Sequence, residues 1–494
     1  MTLEVLGHDH AYEMECLVRL FCPGALISVT QTPGEPGEGR ITTRLEQDGG
    51  RVKLSAAVCL GGYMGEAADV VDADIPEKGW EVQRRLSVLL FGLLCEQSGI
   101  RPPWGILTGV RPVNLCRKLM ARFGLRADQL AGILAQDYKV LPEKAVLALG
   151  ILHTQNDILA TGKPRDYSLY VSIPFCPTRC LYCSFVSHAI DKAAKLLPDY
   201  LRLLDDELAA IGALAKNLGL RLRSVYMGGG TPTTLTPGQL RGLLSAVANN
   251  FPVSDAQEYT VEAGRPDSIT REKLSVLKDF GVSRISVNPQ VMDDEILKSI
   301  GRKHTSAQTL EAMALAREIG FENINMDLIA GLPGLTPERF ADTLSRVIAL
   351  RPENLTVHTL TVKRSSDLRA REGAFAREAD IHGQLAFAGQ ALGKAGYFPY
   401  YLYRQQGTPH NLENTGYCLP GKEGLYNIHS MEDAHTILAA GAGGVTKLRG
   451  ERDKLGRVFN YKYPYEYISG FADMLARKQE MADFFKKDGK IDAT

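Results

Sequence analysis

The chain has 494 residues, with 45% apolar and 23% charged side chains, which suits two to four globular domains, each with its own core. Its 57 basic and 57 acidic side chains cancel, so no whole-molecule field favours nucleic acid or an anionic membrane, and an anionic ligand must be met by local cations. The N-terminus lacks a basic region followed by an apolar core, the longest apolar stretch (86–95) is too short for a bilayer, and nine cysteines in so long a chain make no disulfide framework. The expectation is a cytoplasmic protein with no membrane span.

Residues 1–163 read as a separate α+β domain. A strand near 3–7 leads into a helix over 12–21. Two alternating runs, 41–46 and 51–58, flank Asp48, Gly49 and Gly50, which predict a hairpin turn. Val82, Leu86, Leu89, Leu90 and Leu93 share one helix face. The block 104–112, from Trp104 to Pro112, has no period and reads as a turn. The helix after it carries Arg117, Lys118 and Arg122, cations that an acidic ligand could meet but that read first as a solvated helix face.

From 164 to 370 strands and helices alternate. Strand-like runs lie near 168–175, 222–227, 257–263, 282–288, 323–329 and 353–362. Between them Leu201, Leu204, Leu208 and Ile211 share a helix face, as do Leu240, Leu243, Leu244 and Val247, and Phe340, Leu344, Val347 and Ile348. Gly219, Gly281 and Gly320 stand where three helices stop in a left-handed cap. Six βα units predict a parallel sheet, doubly wound or rolled towards a barrel, with its site at the carboxyl ends of the strands. Residues 371–494 lie beyond this alternation.

The first of these strands runs into Cys176, Cys180 and Cys183, a C-x3-C-x2-C array. Iron–sulfur clusters usually take four cysteines and structural zinc four ligands, so three thiolates leave one position open for a substrate or cofactor. A zinc site completed by a distant ligand such as His188 is the competing reading. After the second strand come Gly228, Gly229, Gly230 and Thr231. Without Cβ atoms this backbone can approach a ligand closely, and its carbonyls can accept from an ammonium; a plain turn is the alternative. The third strand carries Glu262. Arg284, Ser286 and Asn288 share one face of the fourth, where polar groups are costly unless paired or used. Arg302 offers a fork-shaped cation for a carboxylate, and Asp327, on the fifth strand, a carboxylate suited to a ribose diol.

Ile173-Pro174-Phe175-Cys176, the Gly228–Pro232 loop, Arg284-Ile285-Ser286 with Gln290, Gly301-Arg302 with His304, and Asp327 with Gly331-Leu332-Pro333 occur in order. Together they resemble the oxygen-independent coproporphyrinogen oxidase branch of the radical S-adenosylmethionine (radical SAM) proteins, which holds the HemN, HemW and HemZ types. Further matches, at Leu412-Glu413-Asn414-Thr415-Gly416-Tyr417, Tyr426-Asn427 and Gly441-Ala442-Gly443, are similar to the family's C-terminal domain, so the resemblance implies a third, C-terminal domain over residues 371–494. The long N-terminal domain is most similar to the HemZ type.

The resemblance implies an α/β fold: a partial (β/α)6 TIM-like barrel, an N-terminal α+β domain and a mostly helical α/β C-terminal extension. Cys176, Cys180 and Cys183 would hold a [4Fe–4S] cluster, with SAM on its fourth iron. Tyr182 would pack on adenine, the glycine loop (Gly228, Gly229, Gly230, Thr231) and Glu262 would hold the amino end, Arg302 the carboxylate, and Gln290 with Asp327 the ribose. A low-potential electron donor would trigger cleavage of SAM to a 5′-deoxyadenosyl radical. That radical would oxidatively decarboxylate two propionates of coproporphyrinogen III, a tetrapyrrole, to vinyl groups. Lys363, Arg364 and Arg404 are candidate cations for the propionates.

Two departures qualify the resemblance. HemN-type oxidases carry a further cysteine two residues after the triplet, where this chain has Cys183-Ser184-Phe185, and they have no counterpart of the N-terminal domain. HemW-type haem chaperones also lack that cysteine. A haem-binding or haem-delivery protein, with His188, His358, His410 or His429 as axial ligand, is therefore the rival reading, and a radical SAM enzyme acting on haem itself is a third.

Overall fold

The computed structural model describes residues 1–35, 37–74, 77–183, 187–361, 380–405, 411–450 and 454–487. The chain divides into two compact units, Met1–Leu152 with Tyr403–Glu413, and His153–Leu402 with Asn414–Thr494.

The first unit is built on a five-stranded sheet, ordered β2-β1-β3-β4-β5. Its strands are β1 (Thr2–Leu6), β2 (Ser28–Thr30), β3 (Arg40–Asp48), β4 (Arg51–Leu60) and β5 (Tyr63–Asp72). β1 runs parallel to both neighbours, and β3, β4 and β5 form an antiparallel meander. Asp48 pairs with Arg51, so Gly49 and Gly50 form the expected two-residue turn, with φ of 59° at Gly49. Alternation along β4 buries Val52, Leu54, Ala56 and Val58 beneath the helix α2 (Lys78–Ser98), against which α1 (Ala11–Phe21) packs. Phe21 and Phe91 meet edge to face there, 5.6 Å between centroids.

The aperiodic block 104–112 is a turn, as its sequence predicts, but a buried one. Trp104 donates from Nε1 to Glu413 Oε2 at 2.8 Å, and Lys144 pairs with the same carboxylate. Arg404 is only 2% exposed. Its guanidinium donates to the carbonyls of Leu107, Gly109 and Asn411 and lies 5.5 Å from the Trp104 ring. Burial pushes its pKa down to about 10. In α3 (Pro112–Phe123), Arg122 pairs with Glu77 and lies 4.9 Å over Trp80, so a protein carboxylate takes this cation.

The second unit carries the α/β fold. β6 (Asp166–Ile173), β7 (Arg221–Gly229), β8 (Glu258–Val261), β9 (Arg284–Ser286), β10 (Ile324–Ala330) and β11 (Asn354–Thr359) pair in chain order, every neighbour parallel. The sheet does not close on itself. β13 (Glu413–Cys418) covers the edge of β11 antiparallel, with β12 (Phe398–Arg404) beyond it. β14 (Thr436–Ala440) covers β6 in parallel and continues into antiparallel β15 (Val445–Arg449) and β16 (Leu455–Phe459), making eleven strands. The C-terminal stretch thus supplies sheet at both edges as well as helices.

Between the parallel strands lie helices with buried faces. Leu204, Leu208 and Ile211 of α4 (Leu197–Asn217) and Leu240, Leu244 and Val247 of α5 (Pro237–Asn250) are in the core. Gly219, Gly281 and Gly320 have φ of 60°, 75° and 94°, the caps their positions predict. At the other ends Thr236, Thr270, Thr305 and Thr336 accept from backbone amides of the helices they open. Arg284, which the sequence placed on the inner face of its strand, donates to Asn354 and to the carbonyls of Lys422 and Glu423. It ties the amino ends of β9 and β11 together, away from the strand ends that carry the site.

Candidate functional site

The cysteine loop hangs from the carboxyl end of β6. Phe175 and Cys176 pair in parallel with His188 and Ala189, which closes the loop at its base. Leu181 N donates to Ile300 O at 3.1 Å, and Cys183 N to Cys180 O at 3.1 Å. Each sulfur faces a polar partner: Thr231 Oγ1 at 3.5 Å from Cys176 Sγ, Arg265 Nη1 at 3.8 Å from Cys180 Sγ, and Ser187 Oγ at 3.8 Å from Cys183 Sγ. Burial pushes the Cys176 thiol up, and the neighbouring Cys183 and Cys180 add to the effect. Among the described residues no three such side chains converge on one point, as ligands of a single ion would. In a four-iron cluster each thiolate binds a different iron.

The glycine loop packs directly on this segment. Gly230 N donates to Ile173 O at 2.8 Å, and Thr231 N to Phe175 O at 2.7 Å. A Cβ on Gly230 would lie 2.5 Å from Phe175 O, and one on Gly228 would lie 2.7 Å from the Glu262 carboxyl. The backbone contact leaves no room for a side chain at position 230, and one at 228 would have to displace the Glu262 carboxyl, so glycine lets this loop pack closely on the cysteine segment and on Glu262. The Gly441-Ala442-Gly443 motif braces the same strand: Ser172 Oγ donates to Ala442 O at 2.7 Å, and Tyr200 donates to Ser172 O at 2.8 Å.

Further along the strand ends, Tyr226 donates to Glu262, whose pKa rises to about 7, chiefly through burial and further through the nearby Asp327. Asp327 behaves oppositely. Burial raises its pKa, but His358, Asn325 and Thr356 together hold it below the usual carboxylate value. Asn325 Nδ2 donates to it at 2.7 Å, and His358 Nε2 lies 3.7 Å away. Gln290 adopts φ of 66°, a strained conformation for a side chain of its size, fixed by Gln290 N to Asp327 O (2.9 Å) and Ile329 N to Gln290 O (3.0 Å). Arg302 donates from Nε and Nη2 to the Tyr182 hydroxyl. Its Nη1 is buried without a partner, as are Gln290 Oε1 and Asn288 Oδ1. Buried polar atoms of this kind are open to a ligand or an ordered water. Three partnered thiols, a close-packed glycine loop and these unsatisfied atoms fit a cluster with SAM beside it.

The structure therefore gathers Cys176, Cys180, Cys183, Tyr182, Gly228, Gly229, Gly230, Thr231, Glu262, Gln290, Arg302 and Asp327 at one end of the second unit's sheet. Arg404 is not among them: its Nε and Nη1 donate to carbonyls of the first unit, and its Nη2 is buried there without a partner among the described residues. Lys363, Arg364, Ser184 and His410 lie outside the described residues. His429 stacks on His435 at 4.0 Å, and His435 reaches Ser168 Oγ at 2.7 Å, near the amino end of β6 and so opposite the site. Sequence reasoning missed Arg265 and Tyr226. Tyr226 was within reach, since it shares strand parity with Gly228. Arg265 left no periodic signal.

A family profile described as the radical SAM superfamily matches residues 170–347. The oxygen-independent coproporphyrinogen-III oxidase-like protein HemZ of Bacillus subtilis is 37% identical over 465 residues, 92% of this chain and 93% of that protein. The haem chaperone HemW of the same organism is 38% identical over 40% of this chain and 51% of its own length. Among solved structures, coproporphyrinogen III oxidase (HemN) from Escherichia coli, titled a radical SAM enzyme, superposes with a TM-score of 0.53 at 25% identity. That match covers 66% of this chain and 73% of the other. Among the described residues no helix is long and apolar enough to cross a membrane.

Proposed function

Because the chain belongs to the radical SAM superfamily, in the branch of HemZ, HemN-type oxidases and HemW, we propose that it converts propionates of coproporphyrinogen III to vinyl groups. The superfamily's cofactors, a [4Fe–4S] cluster and SAM, would supply radical chemistry able to take a hydrogen atom from a propionate β-carbon, and the CO2-releasing oxidation to a vinyl group would pass one electron per propionate to an external one-electron acceptor. The protein positions and shields. Cys176, Cys180 and Cys183 hold the cluster. Carbonyls of Gly228–Gly230 and the Glu262 carboxylate take the SAM ammonium, and Thr231 steadies Cys176. Arg302 takes the carboxylate through its free Nη1, Gln290 and Asp327 the ribose, and Tyr182 lies against adenine. Lys363 and Arg364 are the cations assigned to the propionates, and a low-potential donor delivers the electron that starts each turnover.

The observation that carries this reading is the match to HemZ over nearly the whole of both chains. A second reading, haem binding of the HemW kind, is favoured by Cys183 being followed by Ser184 and Phe185 rather than by a further cysteine two residues on. Two measurements on the same anaerobic protein separate the two: product mass after incubation with reductant, SAM and coproporphyrinogen III, and the Soret band retained through gel filtration after mixing with haem. Decarboxylation of coproporphyrinogen III without a co-eluting Soret band supports the first reading. A retained Soret band without decarboxylation supports the second.

A further inference from the structure

Arg265 lies past the carboxyl end of β8, beyond Glu262, yet its side chain serves the cysteine loop. It is 3% exposed. Nη1 donates to Thr178 O at 3.2 Å, to Thr178 Oγ1 at 3.1 Å and to Cys180 Sγ at 3.8 Å. Nη2 adds Thr178 Oγ1 at 3.1 Å and Asp267 Oδ2 at 2.7 Å, while Nε donates to Asp267 Oδ1 at 2.9 Å. One face of the guanidinium fork is thus fixed by a bidentate carboxylate, and the other grips the loop two residues before its second cysteine and at that cysteine's sulfur.

We propose that the Arg265–Asp267 pair is a positioning device that holds the cysteine loop in its ligating conformation and sets the reduction potential of the cluster through Cys180. Hydrogen bonds to the sulfurs and local charge are what a protein uses to set such potentials. A bare cation at Cys180 stabilises the more negative, reduced cluster and raises the potential. A cluster that must reduce SAM needs a low potential. Asp267, two residues on, offsets that cation while leaving its N–H groups in place. Arg265 therefore gives the loop rigidity, and Asp267 removes most of the electrostatic effect that would follow. The proposal rests on Cys176, Cys180 and Cys183 being the ligands, and does not depend on the tetrapyrrole.

The test is an anaerobic redox titration of the full-length reconstituted protein, followed by absorbance and by electron paramagnetic resonance of the reduced cluster. Arg265→Gln keeps a donor near Thr178 but removes the cation, and its midpoint should move to more negative potential. Asp267→Asn unmasks the cation, and its midpoint should move to more positive potential. Asp279→Asn, which breaks the exposed pair with Arg241, serves as the control and should match the wild type. Opposite shifts in the first two with none in the third support the proposal. An unshifted Asp267→Asn midpoint, or shifts of the same sign in both variants, overturns it whatever iron Arg265→Gln retains. A wild type that takes up no cluster would instead remove the ligand assignment itself.

Discussion

Arg302 donates two hydrogen bonds to the hydroxyl of Tyr182, at 3.1 Å from Nε and 2.9 Å from Nη2. The two residues are 120 positions apart, and Tyr182 stands between the second and third cysteines of the loop. The contact is possible because Gly301, with φ of 79°, turns the chain against Leu181, whose amide is already bonded to Ile300 O. The cation assigned to the SAM carboxylate and the ring assigned to adenine are therefore fixed to one another before any ligand arrives. Preorganisation of this kind lowers the ordering cost of binding.

That relationship predicts a graded series. Arg302→Ala removes a charge-assisted bond worth roughly 1.5–3 kcal/mol, which should weaken SAM binding about 10- to 100-fold. Tyr182→Phe keeps the ring and frees the guanidinium, so binding should weaken by less. Iron content should stay at the wild-type level in both. Anaerobic equilibrium dialysis with labelled SAM checks this, and wild-type affinity in Arg302→Ala would contradict the assignment.

The cluster ligands are tested by loss of iron. Cys176→Ala, Cys180→Ala and Cys183→Ala should each abolish cluster retention and the brown colour of anaerobically purified protein. Cys16→Ala, in the first unit, should leave both unchanged. Cys418 is buried in β13, so Cys418→Ala should lower stability slightly without touching the iron.

Glu262 gives a pH dependence with a defined sign. Its carboxyl titrates near pH 7 in the free protein because burial disfavours the charge. Folded above its unfolded pKa, it contributes stability at low pH that is lost as pH rises through about 7. SAM binding runs the other way, because an ammonium needs the carboxylate. Affinity should fall as pH drops from 8 to 6, with a proton released on binding at the lower pH. Glu262→Gln should bind more weakly and flatten the profile. Calorimetry in buffers of different ionisation enthalpy reads both effects, and a wild-type profile flat through pH 7 would contradict the role.

Arg404 was one of three cations the sequence offered for a propionate, and its position predicts a different phenotype. Removing it leaves the carbonyls of Leu107, Gly109 and Asn411 without their donor. Arg404→Ala should destabilise by about 1.5–3 kcal/mol, as losing charge-assisted buried bonds does. Residual folded protein should keep its ratio of SAM cleaved to product formed. Thermal unfolding and a product count separate this from substrate contact. A stable variant with uncoupled SAM cleavage would return Arg404 to the site.

Much of the second unit was legible because parallel strands and amphipathic helices announce themselves by period, and because chemistry in such folds collects at strand carboxyl ends. The cysteine triplet, glycine loop and Asp327 could be placed from sequence order alone. Arg265 could not, since a side chain that reaches back across a sheet to a loop 85 residues earlier leaves no trace in local pattern. Arg404 was misjudged for the complementary reason. An arginine near the end of a strand looks like a ligand grip until the buried turn at Trp104–Leu107 supplies the carbonyls that hold it. Arg284 shows the same ambiguity at the far end of the sheet, where it joins β9 to β11.

The most direct test of the central claim is an anaerobic incubation of reconstituted protein with reductant, SAM and coproporphyrinogen III, followed by product mass and a count of SAM consumed. A monovinyl intermediate should appear first and a divinyl product after it, each step with one CO2 released and one SAM cleaved. Accumulation of 5′-deoxyadenosine with the tetrapyrrole unchanged in mass would contradict the account.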